Sequence, residues 1–181
     1  MRPTDILRHE HQVVLLVLEG AERIARDIDA GKAIPIADLE QMLDFFRNFV
    51  DRCHHGKEEE LLFPKMQERG LPGNAGPLPV MRHEHEEGRQ FARNIASAVA
   101  TAKMGEPEAQ RTLPEYLRGY AELLRAHIAK EDNVLFPMAD RILEDSDQAE
   151  LSEAFDKVES EEMGEGVHEQ YHQLAHRLAK R

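Results

Sequence analysis

Apolar residues recur at spacings of three and four along most of the chain, which is the pattern of amphipathic helices. Alternating apolar and polar runs rich in valine, isoleucine and threonine, which would predict strands, are nearly absent. Glycine and proline separate the periodic segments, as in the turn LPGN at residues 71–74. The pattern predicts four long helices over residues 5–30, 36–68, 78–104 and 113–143, and two shorter ones over residues 148–161 and 166–180.

Three prolines fall inside the long helical segments. Pro114 lies in the first turn of the fourth predicted helix, where proline is tolerated. Pro64 and Pro137 come late in the second and fourth helices, and we expect each to kink or shorten its helix. Because short loops join long amphipathic helices, we predict an all-α, up-down-up-down four-helix bundle over residues 1–145, with a short helical C-terminal appendage over residues 146–181 packed on it.

The chain repeats itself. The tetrapeptide RHEH at residues 8–11 recurs at residues 82–85, 74 residues later. The segment HHGKEEELLFP, which begins at His54, recurs as HIAKEDNVLFP from His127, 73 residues later. Each copy carries a His-x-x-x-Glu motif ahead of Leu-Phe-Pro. Two helical hairpins related in this way would place two equivalent half-sites face to face in the bundle core.

The helical register separates inward from outward residues in each histidine cluster. Four histidines and two glutamates fall on the apolar stripes of the long helices: His11, His54, Glu58, His85, His127 and Glu131. The same stripes place Leu61 and Val134 inward. The sequence neighbours His9, His55 and His83 fall on polar faces, where we expect them to contact solvent.

Such a set of inward polar residues points to a metal site. A lone histidine on an apolar stripe is more often a hydrogen-bonded core residue, but charged groups are almost never buried without a partner. A metal pair would keep the carboxylates ionised and the imidazoles neutral as ligands. The spacing of one helical turn brings both side chains of each His-x-x-x-Glu motif to the same point. Nitrogen and oxygen ligands suit a pair of iron or manganese ions, although zinc would also bind.

At these residues the chain resembles the hemerythrin-like family, also called the HHE cation-binding domain. The matching elements lie within residues 4–143 and are Glu10-His11, His54-x-x-x-Glu58 with LFP, Glu84-His85, and His127-x-x-x-Glu131 with LFP. The resemblance implies a four-helix bundle that holds a carboxylate-bridged, non-haem diiron centre. It also implies that Glu58 and Glu131 bridge the irons, and that the terminal ligands are His11, His54, His85 and His127.

The chain departs from the oxygen-carrying members of that family at two places. Where their third helix has His-x-x-x-His, the earlier position here is Met81, a poor ligand for such iron. Their fourth helix has an aspartate five residues after its histidine. In this chain Glu131 lies four residues and Asp132 five residues after His127, and the internal repeat favours Glu131 as the ligand. The missing fifth histidine disfavours simple O₂ carriage. Three functions stay open: a protein that binds or senses O₂ or NO, an oxidoreductase acting on peroxide or nitric oxide, and an iron store or donor.

Two further side chains are candidates for the site. His168 heads a stripe of three histidines at spacings of four, and it either folds back to supply a missing ligand or an outer contact, or lies on a solvated or packing face. Tyr120, on the inward face of the fourth helix, is either a core residue, an outer hydrogen-bonding group or a redox-active phenol. The acidic run at residues 159–162 indicates a solvated face, and Cys53 an ordinary small residue.

Composition excludes several classes of function. The 181 residues contain ten histidines and one cysteine, which is too few cysteines for a disulfide framework or an iron–sulfur cluster. The net charge of −12 argues against nucleic acid as the main partner. No run approaches the length of a membrane span, and the charged start MRPTDILRHEHQ does not resemble a signal peptide, so we expect a cytoplasmic protein without a membrane partner. The sequence does not indicate an oligomeric state.

Overall fold

The computed structural model describes residues 1–164 and 166–181, apart from the side chain of Glu162. The described residues form helices and no strand, which confirms the predicted all-α class. The helices are α1 (Pro3–Asp29), α2 (residues 36–68), α3 (Pro77–Lys103), α4 (residues 109–142), α5 (residues 145–163, of which Glu159–Met163 are π-helical) and α6 (Val167–Ala179). None of these helices combines the length and the apolar character that crossing a membrane requires.

The main difference from the predicted bounds is the start of α4. This helix begins at Ala109, whose side chain is fully buried, rather than at residue 113. Pro114 therefore lies inside the helix and not in its first turn, so the predicted position of this proline was wrong. Burial of Ala109 and its neighbours in the core outweighs the one backbone hydrogen bond that proline cannot donate.

Helices α2 and α4 change to π-helical hydrogen bonding where the site motifs lie. The π segments are Phe46–His55 and Glu58–Leu62 in α2, and Glu131–Leu135 in α4. The last two segments each end directly before a Phe-Pro pair. Because a π turn is wider than an α turn, it accommodates a proline that would break a regular helix. Neither helix is shortened at its proline, contrary to one of the predicted outcomes.

The π turns shift the buried face by one residue. Since a π turn contains more residues than an α turn, a stripe counted at the α-helical period drifts off the core. Leu62 and Leu135 occupy the core, whereas Leu61 is half-buried and Val134 is 52 % exposed. The prediction that Val134 points inward was therefore wrong, whereas Leu61 is partly buried and packs against an apolar cluster.

Two apolar clusters fill the interior, and the site motifs lie between them along each long helix. In α1, Leu7 belongs to one cluster and Val14 to the other, with His11 between them. In α4, Ile128 and Leu135 lie in the two clusters on either side of Glu131. The chain therefore builds one polar layer inside an otherwise apolar interior.

The C-terminal segment packs closely against the long helices. A Cβ atom at Gly20 of α1 would lie 2.9 Å from Leu178 Cβ of α6, so glycine permits this close approach. The Tyr171 hydroxyl of α6 donates a hydrogen bond of 2.8 Å to Asp44 in α2. At the start of α5, Asp147 accepts two hydrogen bonds from the Arg69 guanidinium, at 2.7 and 2.9 Å.

Candidate metal centre

Four buried imidazoles meet in the polar layer as two facing pairs. Nε2 of His11 lies 3.0 Å from Nε2 of His54, and Nε2 of His85 lies 3.1 Å from Nε2 of His127. Each of the four side chains is at most 2 % exposed. Helices α1 and α2 supply the first pair, and α3 and α4 the second, as expected for two copies of one hairpin.

Two glutamates lie between the pairs and face both of them. Both side chains are fully buried, and their four carboxylate oxygens have no hydrogen-bond partner among the described residues. Glu131 lies with one oxygen 3.1 Å from Nε2 of His11 and the other 3.1 Å from Nε2 of His127. The corresponding distances for Glu58 are 3.4 and 3.3 Å, to Nε2 of His54 and His85. Each carboxylate therefore spans the two imidazole pairs.

A second set of carboxylates holds the outer nitrogen of every imidazole in the two pairs. The contacts are His11 Nδ1 to Asp132 at 2.8 Å, His54 Nδ1 to Glu10 at 2.7 Å, His85 Nδ1 to Glu59 at 2.6 Å and His127 Nδ1 to Glu84 at 2.8 Å. Ionised carboxylates only accept hydrogen bonds, so each Nδ1 carries a proton. The Nε2 lone pairs consequently point into the centre of the layer.

This arrangement fits metal cations. Nε2 lone pairs 3.0 Å apart repel one another, and four carboxylate oxygens without hydrogen bonds are costly in a dry interior. Cations bound between them would remove both costs. The candidate ligand atoms fall into two groups whose atoms lie within 4.8 Å of one another: His11, His54, Glu58 and Glu131, and His55, Glu58, His85 and His127.

The protons of the layer are held strongly when no cation replaces them. Although burial disfavours charge, the hydrogen bond to Asp132 and the nearby carboxylate of Glu131 raise the pKa of His11 to about 10. The neighbouring carboxylates overcome burial in the same way and raise the pKa of His85 to about 11 and that of His127 to about 9. The layer therefore attracts positive charge, whether that charge comes as protons or as metal.

Lys57 connects this layer to the C-terminal segment. Its ammonium is fully buried and donates hydrogen bonds to Glu10 and, at 2.6 Å, to Glu159. Against the cost of burial, hydrogen bonds from His168 and Lys57 lower the pKa of Glu159 to about 2. The prediction that residues 159–162 form a solvated face was therefore wrong for Glu159, whose side chain is half-buried against Lys57, whereas Ser160 and Glu161 are exposed, as predicted. The side chain of residue 162, at the end of the same run, lies outside the described part of the structure.

His168 contacts this network and not the imidazole pairs. Its Nδ1 lies 3.2 Å from Glu159 Oε2, and its ring packs 5.2 Å from that of Phe49. Of the alternatives that the sequence left open, this contact corresponds to an outer role: a chain of contacts runs from His168 through Glu159, Lys57 and Glu10 to His54 Nδ1.

Tyr120 and Met81 are buried beside the polar layer. The ring of Tyr120 packs 4.3 Å from that of Phe46, and its side chain is 3 % exposed. Burial raises the pKa of the Tyr120 phenol, so the hydroxyl stays protonated. Met81 belongs to an apolar cluster that also contains Leu78 and Phe63. Both positions agree with a packing role.

One histidine lies where the sequence did not predict it. His55 is only 4 % exposed, so the prediction that it contacts solvent was wrong. It lies in a π segment of α2, where a count at the α-helical period misplaces adjacent side chains. Burial and the neighbouring imidazoles lower the pKa of His55 well below its ordinary value. His9 and His83 are exposed, as predicted.

The outer carboxylates are the functional residues that the sequence argument missed. Each of the four is adjacent in sequence to one of the inward residues. The sequence analysis named Glu10 and Glu84 only as part of the matching motifs, weighed Asp132 only as an alternative to Glu131, and gave Glu59 no role. The internal repeat indicates these positions, because an acidic residue occurs at the same place in both copies of each motif. RHEH contains Glu10 and Glu84, and the motif Lys-Glu-Glu/Asp ends in Glu59 and Asp132.

Comparison with known proteins gives a family and two kinds of relative. A sequence model described as "Hemerythrin HHE cation binding domain" matches residues 2–139. "Uncharacterized protein Rv1995" of Mycobacterium tuberculosis (strain ATCC 25618 / H37Rv) is 26 % identical over 167 residues, which cover 90 % of this chain and 63 % of that protein. "Iron-sulfur cluster repair protein YtfE" of Escherichia coli (strain SMS-3-5 / SECEC) is 34 % identical over 136 residues, which cover 73 % of this chain and 60 % of that protein.

The chain thus spans 63 % and 60 % of the length of these curated relatives. No solved structure gave a significant match.

Proposed function

Because the chain belongs to the hemerythrin HHE cation-binding domain family, we propose that it is a non-haem diiron protein that binds or reacts with O₂, nitric oxide or a peroxide. In this proposal the long helices α1 to α4 form an up-down-up-down four-helix bundle, and the C-terminal helices are an appendage on it. The observation that supports the proposal most strongly is the pair of buried glutamates, since each directs its two oxygens at two different imidazole pairs.

The proposed ligands divide evenly between two ions. His11 and His54 would hold one ion, His85 and His127 would hold the other, and both would share the two glutamates, each of which has one oxygen near either pair. An iron pair would supply Lewis-acid and redox chemistry to a small ligand. Manganese would fit the same ligands, and zinc would bind without redox chemistry.

The protein contributes fixed orientation and a dry site. The outer carboxylates hold each ring with its Nε2 lone pair inward, which fixes the tautomer before any ion binds. Apolar clusters above and below the layer limit the access of water to the ligand atoms. Little rearrangement would then accompany binding, which favours tight and selective uptake of the ions.

Reconstitution tests the proposal directly. The protein is loaded with ferrous iron without oxygen, and absorption spectra follow the addition of O₂, hydrogen peroxide or nitric oxide. We expect an absorption change with at least one of the three. A change that reverses on removal of the ligand indicates a binding protein, and repeated consumption of the ligand indicates an enzyme. Iron-loaded protein that responds to none of the three contradicts the proposal.

A second candidate function is iron donation. It is favoured by the 34 % identical relative whose name includes iron–sulfur cluster repair. Iron would then be cargo, and the loaded protein should transfer it to an acceptor. Incubation with an excess of an apo iron–sulfur protein distinguishes the two functions: a donor empties at a rate that depends on the acceptor, whereas a diiron ligand-binding protein retains its iron.

A further inference from the structure

His55 is a buried histidine to which the proposed ligand set gives no role. Its side chain is 4 % exposed, and its Nδ1 has no hydrogen-bond partner among the described residues, since Asp51 Oδ1, at 3.6 Å, lies beyond hydrogen-bond distance. The other imidazoles of the layer differ, because each of them donates its Nδ1 proton to a carboxylate. A buried polar nitrogen without a partner is costly unless something absent from the protein chain itself contacts it.

The orientation of the ring keeps His55 off the ion itself. It lies flat on His85, with centroids 3.8 Å apart and planes inclined by 16°. The lone pairs of an imidazole lie in the plane of its ring, and the two stacked planes are nearly parallel and separate, so the two rings do not both point at one ion. One ring nitrogen of His55 nevertheless lies within 4.8 Å of the candidate ligand atoms of Glu58, His85 and His127. That nitrogen is therefore within reach of a small molecule bound beside those atoms.

A cavity leads from the surface to this ring. Its volume is about 160 Å³, and its buried lining includes His55, His85 and Tyr120. Half-buried and exposed arginines line it as well, among them Arg47 and Arg89. The cavity is large enough for a diatomic molecule or a triatomic anion, and such a molecule would meet His55 next to His85.

We propose that His55 contacts the small ligand: it donates an N–H hydrogen bond to an oxygen- or nitrogen-containing molecule that enters through this cavity and binds at the ion held by His85 and His127. This inference rests on the proposed metal centre. It makes the two halves of the site unequal, since the internal repeat places Ile128, also buried, where the first copy has His55. The ion held by His85 and His127 is then the one that receives the ligand.

The repeat also provides the test variant. His55→Ile copies the residue that the chain itself uses at the matching position, so the fold should tolerate it. His55→Gln keeps an N–H donor in a side chain of similar length. His83→Ala, at an exposed position, is the matched control.

The experiment is a titration of the iron-loaded proteins with azide, followed by absorption. We expect unchanged iron content and an unchanged spectrum before azide in all variants. The azide Kd should rise about tenfold in His55→Ile, which is the effect of losing one hydrogen bond, by less in His55→Gln and not at all in His83→Ala. In zinc-loaded protein, where no redox reaction occurs, ¹⁵N resonances of the His55 ring should shift when azide is added.

The outcomes separate the two proposals. Equal azide affinity in wild type and His55→Ile overturns the role of His55 and leaves the metal centre standing. Loss of iron, or an altered spectrum before azide, in His55→Ile also overturns it, because His55 would then be a metal ligand. If the wild-type protein binds no iron, the metal centre and the inference from it both fail.

Discussion

Adjacent residues with opposite directions build the candidate centre. Glu58 faces the imidazole pairs, and its neighbour Glu59 holds the outer nitrogen of His85 on another helix. Glu131 and Asp132 repeat this arrangement toward His11. Each pair of neighbours therefore supplies one carboxylate that faces the imidazole pairs and one that orients a ring, so the two proposed roles can be tested separately by mutation.

Glu131→Ala tests the inward role. It removes a carboxylate that faces both imidazole pairs, so we expect most of the iron to be lost from both positions. Elemental analysis after expression in iron-rich medium measures the effect, with His83→Ala as the control that should retain its iron. If His83→Ala emptied the protein while Glu131→Ala did not, the helical register of the site would be wrong.

Asp132→Ala tests the orienting role. His11 would lose the acceptor of its Nδ1 proton, and we expect iron affinity to fall by about 10–100-fold while the stoichiometry at saturating iron is retained. Competition with a chelator of known affinity measures the change. Asn133→Ala, at the neighbouring exposed position, should leave iron affinity at the wild-type value. An Asp132→Ala protein with wild-type iron affinity would show that the contact between His11 and Asp132 does not contribute to iron binding.

At the scale of helices, the α-helical period predicted the helices themselves but not every residue that points into the interior. It placed six inward site residues correctly in the buried layer: three lie outside the π segments, Glu58 and Glu131 begin one, and His54 lies near the end of another. It failed at His55 and Val134, where π turns change the number of residues per turn. Proline after Leu-Phe marks two of these segments, but nothing in the sequence marks the start of the one at Phe46.

A pair of glycine substitutions tests helix packing. Gly56 is helical with no atom within 4 Å of a built Cβ, and the repeat has Ala129 at the matching position, so Gly56→Ala should stabilise the protein by about 0.5–1 kcal/mol. Gly20→Ala would place its Cβ 2.9 Å from Leu178 Cβ and should instead destabilise the protein by about 1 kcal/mol or more. Urea unfolding of both variants measures the changes, and stabilisation by Gly20→Ala would contradict the close packing of α6 on α1.

At the scale of the molecule, the buried layer links stability to pH. Without metal, the raised pKa values of His11, His85 and His127, at about 10, 11 and 9, mean that the folded state holds more protons than the unfolded state above about pH 6.5. The stability from these groups is complete below that pH and is lost as the pH rises toward their folded pKa values. Metal must displace the same protons, so its binding strengthens as the pH rises.

We therefore expect opposite trends with and without metal. The metal-free protein should have a higher Tm at about pH 6 than at about pH 8, whereas the increase in Tm caused by iron should be larger at about pH 8. Thermal unfolding at the two pH values, with and without bound iron, provides the comparison. A metal-free Tm that rises from about pH 6 to about pH 8 would contradict the proton assignment.

The sequence also could not predict how the C-terminal segment contacts the layer. The contact of Lys57 with Glu10 and Glu159 depends on where α5 ends and how α6 packs, and neither follows from local periodicity. Its repeat counterpart Lys130 pairs with Glu84 but is 45 % exposed on its side chain. The two repeats are therefore alike in the residues that point into the polar layer. They differ because the C-terminal segment covers Lys57 but not Lys130, and this difference depends on tertiary packing.

Iron content per chain tests the central claim most directly. The wild-type protein is loaded with ferrous iron without oxygen, freed of excess metal on a desalting column, and analysed for iron and protein in the same sample. Four imidazoles in two facing pairs and two glutamates that span them predict about two irons per chain. A reproducible value near one or near zero would contradict a two-metal centre.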